Sequence, residues 1–169
     1  MKTVLAVLAL LSATLVSPLV GQGNDEFARN TLAGLRGVWV AVEKISEEAQ
    51  RDGLDTTQIR TDVELKLRQA GITVLTRQEW VSTAAAPYLY VNVQAIKNPA
   101  NVYAFSANVE LRQRVTLVRN PAMSILATTW SATGFIGMVG SQKLGSVRND
   151  VRDLTDRFIN AYLAANPKR

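Results

Sequence analysis

The stretch Tyr103-Ala104-Phe105-Ser106-Ala107-Asn108-Val109-Glu110-Leu111-Arg112-Gln113-Arg114-Val115-Thr116-Leu117 decides the fold. Tyr103, Phe105, Ala107, Val109, Leu111, Val115 and Leu117 fall on one side of an extended chain, and Ser106, Asn108, Glu110, Arg112, Arg114 and Thr116 fall on the other. A period of two is the signature of a strand, because successive side chains leave a pleated backbone on opposite sides. The split predicts a sheet with one face packed and the other in water. Gln113 is the single polar residue on the apolar side.

Outward from this strand, Tyr88 to Ala95 alternates in the same way, with Leu89, Val91 and Val93 on one face. Lys97-Asn98-Pro99-Ala100 separates the two as a turn. Arg119-Asn120-Pro121-Ala122 repeats that chemistry and predicts a second turn, after which Ser124 to Ala132 returns as a further strand. Two turns and three strands make an antiparallel meander.

Upstream, Val38, Val40 and Val42 open a β-branched run that reads as a first strand with much of both faces covered. Ser46 caps a helical turn that carries Glu47 and Glu48 at its positive end, and Gly53 stops it. Asp55 and Gln58 have capping-box spacing, and Ile59, Val63 and Leu67 place one apolar stripe on the helix that runs to Gly71. Residues 72–75 resume an extended run, so strand, helix and strand form a crossover with parallel strands. Residues 76–86, with Trp80, form a short helix or loop. Downstream, Leu144, Val147, Val151, Leu154, Phe158 and Tyr162 recur at helical spacing and define the last helix. The fold class is therefore α+β: a two-layer sandwich with a mixed sheet of four to five strands, in the order β-α-β-β-β-α, and two main helices on one face. The expected organisation is a signal peptide over 1–22, a leader or short helix over 23–37 and a single domain over 38–166.

Lys2, the apolar run Val4 to Val16, Ser17-Pro18 and the small residues Gly21 and Gly23 carry the export expectation. The run falls short of the roughly 20 apolar residues of a membrane-spanning helix, so removal rather than anchoring is expected. The periplasm is the expected compartment, with release to the exterior as the alternative. No Cys and no His occurs in the sequence, which excludes disulfides, a lipidated cysteine and imidazole catalysis. An apolar fraction of 47% supplies a core without covalent staples. The formal charge of +5 is spread among acidic residues, favouring weak attraction to anionic envelope polymers without marking a nucleic-acid site.

In layout, export signal and C-terminal helix, residues 38–165 resemble small envelope α/β domains of Gram-negative bacteria. The families in question are the lipopolysaccharide-assembly lipoprotein E family and, more distantly, the N-terminal domain of the Tol-Pal translocation protein B. The resemblance is one of topology and implies an accessory role in the envelope. The lipoprotein family carries a lipidated cysteine that this chain lacks, so a lipid anchor and a place inside an outer-membrane barrel do not carry over.

Three segments stand out as candidate sites. Gly134 to Gly140 has the spacing Gly-x-x-Gly-x-x-Gly, which is neither a dinucleotide fingerprint nor a phosphate loop. It reads either as a strand end whose apolar side chains tuck into the core, or as a mobile loop presenting Phe135, Ile136, Met138 and Val139 to a partner or membrane. Ser141 and Lys143 open the predicted last helix, as a plain cap or as an anion site. Glu110, Arg112 and Arg114 form a polar strand face, either a solubilising surface or a contact for an acidic partner. Asp150, Asp153 and Asp156 interleave with Arg148, Arg152 and Arg157, which pairing along one helix explains. Tyr88, Tyr90, Tyr103, Phe105 and Trp130 read as core residues, or as the lining of a ligand pocket between sheet and helices.

No catalytic, metal or cofactor residues are assigned, since no serine sits in a recognisable nucleophile motif and no carboxylate pair is singled out by spacing. The expected function is that of a soluble, non-enzymatic binding or accessory protein whose partner is an envelope protein or an anionic envelope polymer, with neither nucleic acid nor a transmembrane anchor. The alternatives are a carrier or sensor of a small apolar ligand and, outside the cell, an inhibitor of another enzyme.

Overall fold

The computed structural model describes residues 26–167. The signal-peptide expectation, residues 1–22, lies outside them. In chain order the elements are α1 (Glu26–Asn30), β1 (Trp39–Val42), α2 (Glu47–Arg51), α3 (Thr56–Gln69), α4 (Arg77–Ser82), β2 (Tyr88–Lys97), β3 (Val102–Leu117), β4 (Asn120–Gly140), a 3-10 helix (Ser141–Ser146) and α5 (Val147–Ala165). The sheet order is β1-β2-β3-β4. β1 runs parallel to β2, and the other pairings are antiparallel, so the sheet is mixed.

The expected crossover after the first strand is present in reduced form. Residues 72–75 touch β1 through one parallel bridge, Val38 to Val74, with hydrogen bonds from Val38 N–H to the Thr73 carbonyl at 3.0 Å and from Leu75 N–H to the Val38 carbonyl at 2.9 Å. Gly37 makes this approach possible: a Cβ there would sit 2.7 Å from the Thr73 carbonyl oxygen.

Alternation along β3 sets the two faces. Tyr103, Ala107, Val109 and Leu111 are buried beneath α3 and α5, together with Leu89, Val91 and Val93 of β2. Trp130 of β4 and Phe158 of α5 close the middle of the layer edge to face, with ring centroids 5.3 Å apart. Gln113, the polar exception, is buried because it joins elements: its side-chain amide donates to Thr129 Oγ1 at 2.8 Å and to the Thr31 carbonyl at 3.3 Å. That second bond draws in the segment before β1. Of the two readings of this segment, the short helix is present as α1, and Leu32 just after it is fully buried in the core.

Caps fall where small polar residues precede the helices. Ser46 accepts from Ala49 N–H, Asp55 from Thr57 and Gln58 N–H, and Thr76 and Glu79 form a reciprocal capping box on α4. The charged residues of α5 depart from the expected pairing within one helix. Asp156 meets Lys66 at 2.6 Å and Arg148 meets Asp62 at 2.7 Å, so these charges join α5 to α3. Two antiparallel-sheet expectations also shift. The second turn lies at Val118 and Arg119, with Asn120 already opening β4 opposite Leu117. β4 then continues through 134–140, with a register irregularity at Gly134 and residues 135–140 paired to β3, so of the two readings of this segment the strand holds and the loop is corrected.

Candidate functional site on the open sheet face

Because Leu89, Val91 and Val93 point to the helices, Tyr88, Tyr90 and Asn92 must point the other way. The same parity turns Trp39 outward between the buried Val38 and Val40. Register then brings these side chains together, since Trp39 is opposite Tyr88, and Tyr88 and Tyr90 are opposite Arg112 and Glu110. α4 adds Trp80 from above.

The result is a continuous aromatic row. Trp80 lies over Trp39 with centroids 4.9 Å apart, Tyr88 meets Trp39 at 6.1 Å and Trp80 at 5.8 Å, and Tyr90 meets Tyr88 edge-on at 6.5 Å. Trp80 is fixed by donation from its indole N–H to the Ala86 carbonyl at 2.6 Å. Arg112 ends the row with its guanidinium 3.9 Å from the Tyr90 ring centre, a cation–π stack. Glu110 holds that guanidinium at 2.9 Å and accepts in turn from Thr128 Oγ1 at 3.0 Å. The Tyr90 hydroxyl donates to Glu43. Burial first, and then the Glu43 carboxylate, push the Tyr90 hydroxyl up to about 12. Tyr90 therefore stays a neutral donor at physiological pH.

All five members of the row are half-buried, each with some surface toward solvent. Chemically the row offers aromatic faces, one fixed cation and a hydroxyl network. Among the described residues no group of three or more potential metal ligands is brought together. Beside it, where β2 outruns β1, a groove of about 270 Å³ is lined by Glu43, Lys44, Ser46 and residues 92–96. Asn92 Oδ1 is buried, with no hydrogen-bond partner among the described residues.

The residues singled out from sequence are distributed as follows. Glu110 and Arg112 are paired within the row, while Arg114 is exposed beyond it and donates its backbone N–H to the Ala85 carbonyl. Phe135 and Val139 pack against the core, whereas Ile136 and Met138 project from the open face with 91% and 71% of their surface exposed. The presenting-loop expectation is thus corrected: pairing with β3 fixes alternate side chains on opposite faces. Ser141 and Lys143 do not open the last α-helix, which begins at Val147. The Ser141 N–H is taken by the Asn101 carbonyl at 2.9 Å and is one backbone donor fewer for an anion there.

Of the proposed pocket lining, Tyr103 and Trp130 are buried in the core, and Tyr88 and Tyr90 lie on the opposite face. Trp39 and Trp80 were not among the residues singled out as a site. The available signal was aromatic residues on the polar side of two strands, where solvent-facing residues are expected. Comparison with family models, with curated proteins and with solved structures finds no match.

Proposed function

We propose that the protein is an exported, non-enzymatic binding or accessory module of the cell envelope that grips a protein partner across the open sheet face. The observation that carries this reading is the aromatic row capped by Arg112, on a face that α3 and α5 leave uncovered. Trp, Tyr and Arg are the residues that dominate binding energy at protein interfaces: Trp and Tyr bring large apolar area with few rotatable bonds and a polar group at the end, and Arg a planar guanidinium that stacks and donates several hydrogen bonds at once. Here they are held in place by mutual stacking, so little ordering entropy remains to be lost on binding. The N-terminal sequence supports export, and the topology-level resemblance to Gram-negative envelope domains points to the same setting. No described helix is long and apolar enough to cross a membrane. The carrier alternative draws no support from the sheet-helix layer, which Trp130, Phe158 and Tyr103 fill.

The test is capture from a solubilised envelope fraction by the purified protein and by a Trp80→Ala/Arg112→Ser variant with unchanged far-UV circular dichroism. A partner retained by the parent and lost by the variant supports the reading. Equal retention by both, or no reproducible partner, contradicts it.

A further inference from the structure

The outer edge of β4 has no pairing strand among the described residues, and all 21 of its residues, Asn120–Gly140, are uncharged. Edge strands are usually protected from association by lysines, inward charges or brevity. β4 has none of these over its final straight section. That section is bracketed by a register irregularity at Gly134 and by the 3-10 helix that starts at Ser141. The backbone direction within it follows from one bond. Ser141 N–H turns inward to the Asn101 carbonyl, so alternate residues Val139 and Gly137 also face β3; Met138 and Ile136 turn their N–H and C=O groups outward, and Gly140 its N–H, its carbonyl being taken up by the 3-10 helix it caps. The side chains of Ile136 and Met138 are also the most exposed apolar groups of β4, at 91% and 71%.

We propose that this edge pairs antiparallel with the same edge of a second copy, about a two-fold axis at Met138, joining two four-stranded sheets into one of eight strands. The inference goes beyond the partner reading and stands without it. Three features select a second copy as the occupant. An uncharged strand meets itself with no like-charge opposition. Pairing centred on Met138 sets Ile136 of each copy against Gly140 of the other, giving the most exposed large side chain of β4 a neighbour without one, and satisfies outward backbone groups with about four hydrogen bonds. The axis also completes an apolar band. Ile96, Ala104 and Met138 are cross-strand partners in one row on the open face, and the two-fold carries that row straight into its symmetry copy. Gly137 keeps this section close to β3, since a Cβ there would meet the Phe105 ring at 2.9 Å.

The experiment is light scattering and sedimentation velocity on the purified protein, on Met138→Lys and on Met138→Glu. The parent is expected to sediment as a dimer. Either charged variant, placing like charges across the axis, should weaken dimerisation by about tenfold or more while leaving the far-UV circular dichroism unchanged. An equimolar mixture of the two should restore the dimer. Because the chain lacks cysteine, Met138→Cys should form a disulfide-linked dimer on mild oxidation, whereas Val118→Cys, at the exposed turn, should not. A parent that remains monomeric at all concentrations overturns the proposal, as does a dimer that persists in both charged variants or fails to cross-link at Met138→Cys.

Discussion

Phe158→Ala is the substitution that most sharply probes whether α5 seals the sheet. The Phe158 ring is fully buried, makes an edge contact with Trp130 at 5.3 Å and lies 6.2 Å from the Tyr162 ring. Truncating a buried Phe to Ala costs about 3–5 kcal/mol through lost transfer energy and the cavity left behind. Rigid neighbours hold the expected value near the middle of that range. The Trp130 ring is itself buried in the sheet-helix layer, where packed neighbours limit how far it can move into the space. A loss of about 4 kcal/mol is a large share of the roughly 5–15 kcal/mol that holds a domain together. For a chain of this size it lowers Tm by about 8–16 °C. Urea titration followed by circular dichroism and tryptophan fluorescence measures the loss. Val118→Ser is the companion, since a side chain 98% exposed should cost about 0.5 kcal/mol or less. A cost below about 1 kcal/mol for Phe158→Ala would refute the packed layer.

Gly37→Ala should destabilise by about 1–3 kcal/mol, because the new Cβ would meet backbone at 2.7 Å where Val38 bridges to residue 74; amide exchange should show the loosening confined to residues 72–75. Hydrogen bonds from Lys97 and then Tyr103 hold the Asp52 carboxyl below its ordinary value of 3.8. The stability it contributes is fully present above pH 3.8 and is lost as pH falls through its lower folded value. Asp52→Asn should therefore be less stable than the parent at neutral pH and converge with it in acid, and parallel pH profiles for the two would count against this linkage. In a spectrophotometric titration, Tyr90 and Tyr103 should ionise near pH 12, Tyr103 being raised by burial and then by Asp52. Truncation after Gly140 should abolish cooperative unfolding by removing Leu144, Leu154 and Phe158 from the core; a sharp melt would show the sheet stable alone.

Local pattern carried the strands and the main helices because burial on one face writes a period into the sequence. The Gln113 exception was visible as an anomaly, yet its partners Thr31 and Thr129 lie far away in sequence and no local rule pairs them. Gly134 to Gly140 looked like punctuation because glycine usually marks turns. In the sheet, Gly137 instead makes room for Phe105, a requirement imposed by the neighbouring strand. The second turn was set late because Pro121 is a strong turn former, while the bend itself uses Val118 and Arg119. The aromatic row was the least legible feature. Trp39 and Trp80 meet only after the chain has passed through α3, and the register of β1 on β2 decides that they do.

Hydroxyl-radical footprinting with and without the solubilised envelope fraction tests the central claim, that the uncovered sheet face is the working surface. Trp39, Trp80, Tyr88 and Tyr90 should be labelled in the isolated protein and become protected when the fraction is added, while Trp130 and Tyr103 stay protected throughout. Unchanged labelling of the row alongside new protection on α3 or α5 would contradict it.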